Sequence, residues 1–247
     1  MGISSLFKRS NKNNPVDLSV LGADMHSHLL PGIDDGSKST DHSLGMMRKF
    51  QELGYKKLIT TPHVMNGVYN NTTAVILEKL EALRFAAKAA GLTIELDASA
   101  EYYFDETLFE RIKNEDLLPF CGNHILFECS FRNEPQQLEE LVFLLRSSGY
   151  QPILAHFERY AYYHGSTEMA KKLRDRGVWI QLNLNSLTGH YGPEVKKQAM
   201  RLVKEKLVDV VGSDCHRIEH LHILEEHLSD PEFHQLMELP LKNTIFL

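Results

Sequence analysis

Seven times between residues 18 and 212 a short strand-like apolar run is followed by a helical stretch, and no hairpin signal separates any two runs. The predicted strands are Leu18–Met25, Lys57–Thr61, Leu92–Ser99, His124–Phe127, Pro152–Ala155, Val178–Asn183 and Val208–Gly212. The intervening helices are expected at Ser39–Leu53, Thr72–Ala90, Glu106–Lys113, Pro135–Ser148, Thr167–Arg176 and Glu194–Lys206, with one or two more in the remaining C-terminal part. Several carry end signals: Gly54, Gly91, Gly149 and Gly177 follow four of them, Ser166 is placed to cap the last of these four, and Pro193 opens a fifth. Strands joined through helices lie parallel, and this many of them favour closure into an α/β barrel. An open doubly wound sheet is the alternative, lowered by the lack of G-x-G-x-x-G after any strand.

Size and composition are compatible with that. The chain has 247 residues, long enough for one barrel domain, and no linker or composition break divides it. A formal net charge of -6 argues against a nucleic-acid binder working through a basic surface. No apolar run approaches a membrane span, so stable membrane insertion is not expected. Three cysteines without CxxC spacing fit a reducing cytoplasm better than a disulfide scaffold. Residues 1–15 read as a flexible polar leader, the alternative being that Ile3, Leu6 and Phe7 beside Lys8, Arg9 and Lys12 touch an anionic membrane surface. Residues 16–247 are then one domain.

What stands at the strand ends carries the chemistry. The first ends in His26 and His28, which alternation turns to one side, with Asp34 and Asp35 in the loop beyond. The second ends at His63, the third at Glu101, the fourth at Glu128, the fifth at His156 and the seventh at Asp214 and His216. Only the sixth brings no ionisable group, offering Asn183 and Asn185. A single His-x-His pair means little, since 13 histidines give roughly 0.7 such pairs by chance; His220-Leu221-His222 is read that way. In a parallel barrel, however, all strand ends share the face where active sites form. Six of seven converging there predict a polynuclear metal site of imidazole and carboxylate ligands, suited to Mn2+, Fe2+ or Zn2+. Arg159, three residues past His156, is placed to grip phosphate oxygens at the mouth, or else to make a helix-end salt bridge.

The segments Asp24-Met25-His26-Ser27-His28, Pro31-Gly32-Ile33-Asp34-Asp35-Gly36, Thr61-Pro62-His63, Ala100-Glu101-Tyr102-Tyr103, Ala155-His156-Phe157-Glu158-Arg159-Tyr160 and Ser213-Asp214-Cys215-His216 resemble the PHP (polymerase and histidinol phosphatase) superfamily. Within it they are most similar to the bacterial capsule-type protein-tyrosine phosphatases. The resemblance runs from about Leu18 to about His216. It implies a distorted (β/α)7 TIM-like barrel and three divalent metal ions, usually manganese. By position, His26, His28, Glu101 and Asp214 would hold one metal, and Glu101 would bridge to a second completed by Glu128 and His156. Asp35, His63 and His216 would hold the third. Asp35 is preferred to Asp34 because the family's ligand directly precedes the glycine; the sequence itself leaves the pair open.

The implied function is a metal-dependent protein-tyrosine phosphatase that hydrolyses phosphotyrosine by metal-activated hydroxide. Its expected substrate is a phosphotyrosine-containing protein, a bacterial tyrosine kinase controlling capsular or exopolysaccharide synthesis, and its expected location is cytoplasmic. Arg159 would stabilise phosphoryl charge and His63 could assist the leaving group. Tyr102, Tyr103, Phe104, Phe157, Tyr160, Tyr162 and Tyr163 follow two ligand-bearing strand ends and either wall the mouth or fill the core. The rivals are a small-molecule phosphatase such as a histidinol-phosphate phosphatase, a PHP-type nuclease, and a non-catalytic metal-binding module. A cysteine-dependent phosphatase loop is excluded, because the residues six beyond Cys121, Cys129 and Cys215 are Phe127, Pro135 and Leu221 rather than arginine.

Overall fold

The computed structural model describes residues 13–247; most of the predicted leader therefore lies outside the described residues. The first predicted strand, Leu18–Met25, survives only in its last part. Leu18–Leu21 form a 3-10 turn, capped by the Asp17 carboxylate accepting from Ser19 N, and the strand β1 is only Ala23–Asp24. A four-residue apolar run has no period of its own, and the local Asp17 cap decides it.

The remaining elements follow in order. They are α1 (Thr40–Glu52), β2 (Lys57–Thr60), β3 (His63–Val64), α2 (Thr73–Ala89), β4 (Glu95–Ala98), β5 (Glu101–Tyr103), α3 (Glu106–Lys113), β6 (His124–Glu128) and α4 (Leu138–Ser147). Then come β7 (Gln151–Leu154), α5 (Glu168–Asp175), β8 (Trp179–Asn183), α6 (Leu184–Thr188), α7 (Pro193–Lys204), β9 (Val210–Gly212), α8 (Ile218–His227) and α9 (Pro231–Met237). Helix α4 starts three residues later than Pro135 suggested. Two expected strands are each followed, after two residues, by a further short strand that the sequence reading did not assign, β3 and β5. Thr61-Pro62 separates β2 from β3, where proline cannot donate to a ladder, and Ser99-Ala100 separates β4 from β5.

The result is a mixed α/β fold with a curled parallel sheet. The order is β1-β2-β4 in one part and β3-β5-β6-β7-β8-β9 in the other, with every strand pairing parallel. Backbone bonds stitch the parts together: Thr61 N to Ser27 O at 2.7 Å, Ser99 N to Thr60 O at 2.9 Å and Glu101 N to Pro62 O at 3.0 Å. Past β1 and β9 the chain pairs again, with a parallel bridge between Ser27 and Cys215 and Asp214 N donating to His26 O.

Helices cover the outside with regular apolar stripes, such as Ile76, Leu80, Leu83 and Ala87 on α2. Inside the curl, Ala23, Met25, Ile59, Leu126, Ile153 and Val210 form a second apolar cluster, plugged by Phe120 and Phe246. The strand period then builds the site. On β6, Leu126 enters this plug and Glu128, two residues on, stands above it on the same face.

Candidate metal centre

Above the plug lies a cavity of about 570 Å3, lined among others by Asp35, His63, Glu101, Glu128, His156 and Asp214. His216 and Arg159 line it too, and His26 and His28 sit fully buried at its base. All nine predicted ligands thus meet in one place. Two glycines make room for the histidines. A Cβ on Gly212 would lie 2.6 Å from the His26 Cβ, and one on Gly36 would lie 2.4 Å from the His28 Cβ. His156 and Asp214 are non-glycine residues with positive φ, 33° and 50°, just past β7 and β9. Such backbone is uncommon and costs energy, and here it occurs where two strand ends deliver side chains to the cavity.

The deepest part is the most diagnostic. His26 Nδ1 faces Gln181 Oε1 at 3.1 Å, and that oxygen also accepts from His156 N at 2.9 Å, which fixes it as the carbonyl end of the amide. His28 Nδ1 faces Asp34 Oδ2 at 2.8 Å. Both Nδ1 atoms must therefore donate, so in the neutral rings both Nε2 atoms carry lone pairs. Those two Nε2 atoms stand 3.4 Å apart. Glu101 Oε2 lies 3.2 and 3.4 Å from them, and Asp214 Oδ1 lies 3.5 and 3.4 Å from them.

Four lone-pair atoms facing one point repel one another unless positive charge lies between them. The charge balance says the same: burial opposes a charged ring, yet Glu101 and Asp214 raise His26 to about 9. His28 is likewise raised against its burial, mainly by Asp34. Five of the six separations in this quartet lie between 3.2 and 3.5 Å. Imidazole nitrogens and carboxylate oxygens at such spacing are the donors that a divalent transition metal takes. The donor set fits a metal ion.

Around it, Glu101 Oε1 is 2.9 Å from His156 Nε2, while its Oε2 is 3.1 Å from His63 Nδ1. Glu128 approaches His63 Nδ1 at 3.2 Å and His156 Nε2 at 3.7 Å. Asp35 Oδ1 reaches His63 Nε2 at 3.5 Å and His216 Nε2 at 3.4 Å, and the His216 bond holds its carboxyl down at about 2. Groups with metal-ligand spacing are His26-His28-Asp214, His26-Glu101-His156, His63-Glu101-Glu128 and His28-Asp35-His63-His216. The sets expected from sequence overlap these, with His63 standing between two groups rather than in one. Asp34 serves differently. Besides His28 it accepts from Gly36 N and His63 N, so both of its oxygens are engaged within the protein.

Arg159 donates from Nη1 to Asp214 Oδ2 at 3.1 Å, and its Cζ lies 4.3 Å from the centre of the Phe131 ring and 4.5 Å from that of Tyr191. The arginine thus pairs with a carboxylate of the cluster, not with a helix end. The aromatic expectation needs correction. Of those seven residues, only Tyr103 lines the cavity. Tyr102, Phe157 and Tyr160 are core, with the Tyr102 and Tyr160 hydroxyls accepting from Leu118 N and Cys129 N. All three belong to the main apolar core that the helices share. The cavity's other aromatics, Tyr69, Phe131 and Tyr191, come from loops. His220 is also misread as chance: it is buried, lines the cavity, and its ring centre is 6.0 Å from that of His216. Gln181, which orients His26, is an interior strand position with nothing in its spacing to mark it.

The family model for "Capsular polysaccharide synthesis, CpsB/CapC" matches residues 22–222. Tyrosine-protein phosphatase YwqE of Bacillus subtilis is 30% identical over 236 residues, covering 90% of this chain and 93% of that protein. Tyrosine-protein phosphatase CpsB of Streptococcus pneumoniae is 25% identical over 202 residues, covering 79% and 83%. A crystal structure from a study of YwqE and CpsB, described as unique metal-dependent tyrosine phosphatases, superposes with a TM-score of 0.78 at 27% identity, covering 91% of this chain and 94% of that one. The Listeria monocytogenes lactonase Lmo2620, at 13% identity and a TM-score of 0.52 over 94% and 96%, shares the fold. With the match spanning every residue of the cavity's metal-ligand groups, the chain belongs to the CpsB/CapC family of capsular polysaccharide synthesis.

Proposed function

We propose that this chain is a metal-dependent protein-tyrosine phosphatase acting on a phosphotyrosine-containing protein, a bacterial tyrosine kinase of capsular or exopolysaccharide synthesis. One observation carries the reading: a guanidinium clamped between two rings stands beside a buried cage of imidazoles and carboxylates in a single cavity. Relatives that share nearly the whole chain bear that activity in their names. We take the two sheet parts as one distorted (β/α)7 barrel, residues 16–247 as one catalytic unit, and the cytoplasm as its location. Among the described residues no helix is long and apolar enough to cross a membrane.

His26, His28, Glu101 and Asp214 would hold one of three metal ions, manganese by preference. Glu101, Glu128 and His156 would serve a second, and Asp35, His63 and His216 a third. When bound, such ions supply a nucleophilic water at neutral pH and neutralise phosphoryl charge. The chain's own groups do the rest. Gln181 and Asp34 fix the tautomers of His26 and His28, so that both Nε2 atoms face inward. Arg159 spends one N–H on Asp214 and keeps others for the phosphoryl oxygens. Both ring nitrogens of His63 face carboxylates, so we assign it to the cluster rather than to leaving-group protonation. A phenolate leaving group, with a pKa of about 10, has little need of an acid. Nor is a thiol nucleophile available beside the site, because burial pushes the Cys215 and Cys129 thiols well up.

The test pairs metal content with kcat/KM for a phosphotyrosine peptide and for histidinol phosphate. Bound transition metal and a clear preference for the peptide are expected. A tenfold preference for histidinol phosphate, about 1.4 kcal/mol in transition-state binding, would replace the proposal with the small-molecule phosphatase.

A further inference from the structure

The strand that brings no ionisable residue to the cavity has its own part in it. Alternation along β8 puts Trp179, Gln181 and Asn183 on one face, while Ile180 and Leu182 enter the main apolar core. Gln181 already serves His26. Its Oε1 accepts from His156 N, so its Nε2 is the atom that faces Asn183 Oδ1 at 2.8 Å. That contact in turn orients the Asn183 amide: Oδ1 accepts, and Nδ2 is left to donate to Asp214 Oδ2 at 2.7 Å. Asn183 is wholly buried. It stands at the N-cap of α6, where asparagine is favoured because its side chain accepts from free backbone N–H groups, yet here it makes no such bond. Glu158 takes over at the start of that helix, its Oε1 accepting from Asn183 N at 2.9 Å and from Ser186 Oγ at 2.5 Å. The amide is thus spent on Asp214 rather than on its own helix.

At Asp214 the amide meets Arg159 Nη1, which lies 3.1 Å from the same Oδ2, so two donors occupy that oxygen. The other oxygen, Oδ1, is the one that faces His26 Nε2 and His28 Nε2, at 3.5 and 3.4 Å. We propose that Asn183 is a positioning residue of the metal centre: its amide holds Asp214 Oδ2 outside the cage, so that Oδ1 is presented to the ion shared with His26 and His28 and Arg159 need not spend a second N–H on that carboxylate. This rests on the metal-centre reading and extends it to a residue that is not a ligand. The alternative is that Asn183 merely supports Gln181 or the start of α6, and substitution separates the two.

The probe is cobalt(II), titrated into chelated and dialysed protein against a chelator of known affinity, with the visible spectrum recorded at saturation and circular dichroism on every sample. Asn183→Leu removes both arms of the amide at similar volume, and Asn183→Ala, which adds no branch, is measured beside it. Cobalt affinity should fall about 10–100-fold, the usual effect of losing an outer-shell partner of a metal ligand. The visible bands of the bound cobalt should shift as well, because a carboxylate free to turn changes the ligand field. Gln181→Leu combined with Asn183→Leu should bind cobalt about fivefold or more weakly than Gln181→Leu alone, since the two residues hold different ligands. Affinity within about twofold of wild type and an unchanged spectrum in the Asn183 variants would overturn the proposal. So would a double variant that binds no more weakly than Gln181→Leu, because Asn183 would then act only through Gln181. Loss of the folded spectrum in both Asn183 variants would overturn it too, leaving Asn183 as a residue the fold requires. A wild type that binds no cobalt would instead remove the metal centre itself, and the proposal with it.

Discussion

His26 and His124 are both buried histidines of the inner sheet, one at the cavity end and one at the plugged end, and their surroundings set them to opposite uses. His124 opens β6 with Nδ1 3.1 Å from Cys121 O. Its ring packs among Trp179, Phe246 and Phe120, at centroid separations of 5.0, 5.3 and 5.7 Å. No carboxylate pairs with it among the described residues, and burial lowers its pKa. His26 is more deeply buried still, yet Glu101 and Asp214 raise it to about 9. Burial therefore does not distinguish a predicted metal ligand from a core histidine. The neighbours do: carboxylates and a fixed tautomer in one case, aromatic rings and a backbone carbonyl in the other.

The sharpest way to break this contrast is to truncate both. His26→Ala should remove metal from the centre and drop turnover below about a thousandth of wild type, because the ligands act as a unit. His124→Ala should lower the melting temperature while leaving kcat and metal content alone. Elemental analysis and kinetics on the two variants check it, and equal effects on activity would dissolve the distinction. Next in size is Arg159, which touches both the cluster and the cavity. Arg159→Ala should cost roughly 10²–10³ in turnover, about 2.7–4 kcal/mol, as for other preorganised charge-stabilising donors. Arg159→Lys should recover only part of it, since an ammonium cannot reproduce a planar fork held between two rings. Unchanged metal content in both would separate this loss from that of His26→Ala.

Gln181 sharpens the comparison at smaller scale, because it gives His26 the tautomer that His124 gets from a backbone carbonyl. Gln181→Leu leaves the His26 Nδ1–H without its acceptor at 3.1 Å and also orphans His156 N. Metal affinity or activity should fall about 10–100-fold, the usual effect of losing an outer-shell partner of a metal-binding histidine. Competition with a chelator of known affinity measures it; wild-type retention would show that Gln181 only packs.

Of the nine predicted ligands, all but Asp35 were legible because each stands at a predicted strand end, so a one-dimensional rule, the residue after an apolar run, maps onto a place in space; Asp35 was chosen over Asp34 only through the family resemblance. His26, Glu128 and Asp214 needed nothing more. Tyr191 and Phe131 obey no such rule. They reach Arg159 from loops, and a loop's path depends on local turns such as Gly189 to Gly192 that alternation and helical period do not encode. The strand before Tyr191 is also the one without an ionisable end, so no charged residue marks its loop. Tyr102 and Tyr160 erred the other way: proximity in sequence to Glu101 and His156 suggested the cavity, but Tyr102 is next to Glu101 on a strand and so faces the opposite side, while Tyr160 lies past the 3-10 turn Phe157–Arg159, where no strand alternation holds. The first half of the strand predicted from Leu18 failed for want of length, as a short apolar run has no periodicity to overrule a side-chain cap.

The smallest effect is the pH dependence of the metal-free protein, where the two histidines should bend the stability curve in opposite directions. For His26 the folded value, about 9, exceeds the unfolded value of about 6.5. Folding then takes up a proton between the two, so its stabilisation is complete below about pH 6.5 and is lost as pH rises through 9. Spread over that window it amounts to on the order of 3 kcal/mol, an upper figure since His28 and His63 share the same carboxylates and are raised with it. For His124 burial lowers the folded value, so the unfolded chain binds the proton more readily and stability falls as pH drops below 6.5. His220, lowered to about 4 by burial beside His216 and Arg217, adds to the same acid-side loss. Carboxylates held low, Asp35 at about 2 among them, contribute only below about pH 4, whereas buried Asp24, raised to about 7, adds a loss as pH rises from about 4 to 7, so the histidine contributions are read from the differences between wild type and variant. The change in melting temperature of the chelated protein should thus be less favourable in the wild type than in His26→Gln from pH 7 to 9, and less favourable in the wild type than in His124→Phe from pH 7 to 5. If His124→Phe instead flattens the alkaline limb, the ring at the plugged end carries the charge assigned to His26, and the division between the two ends of the sheet is wrong.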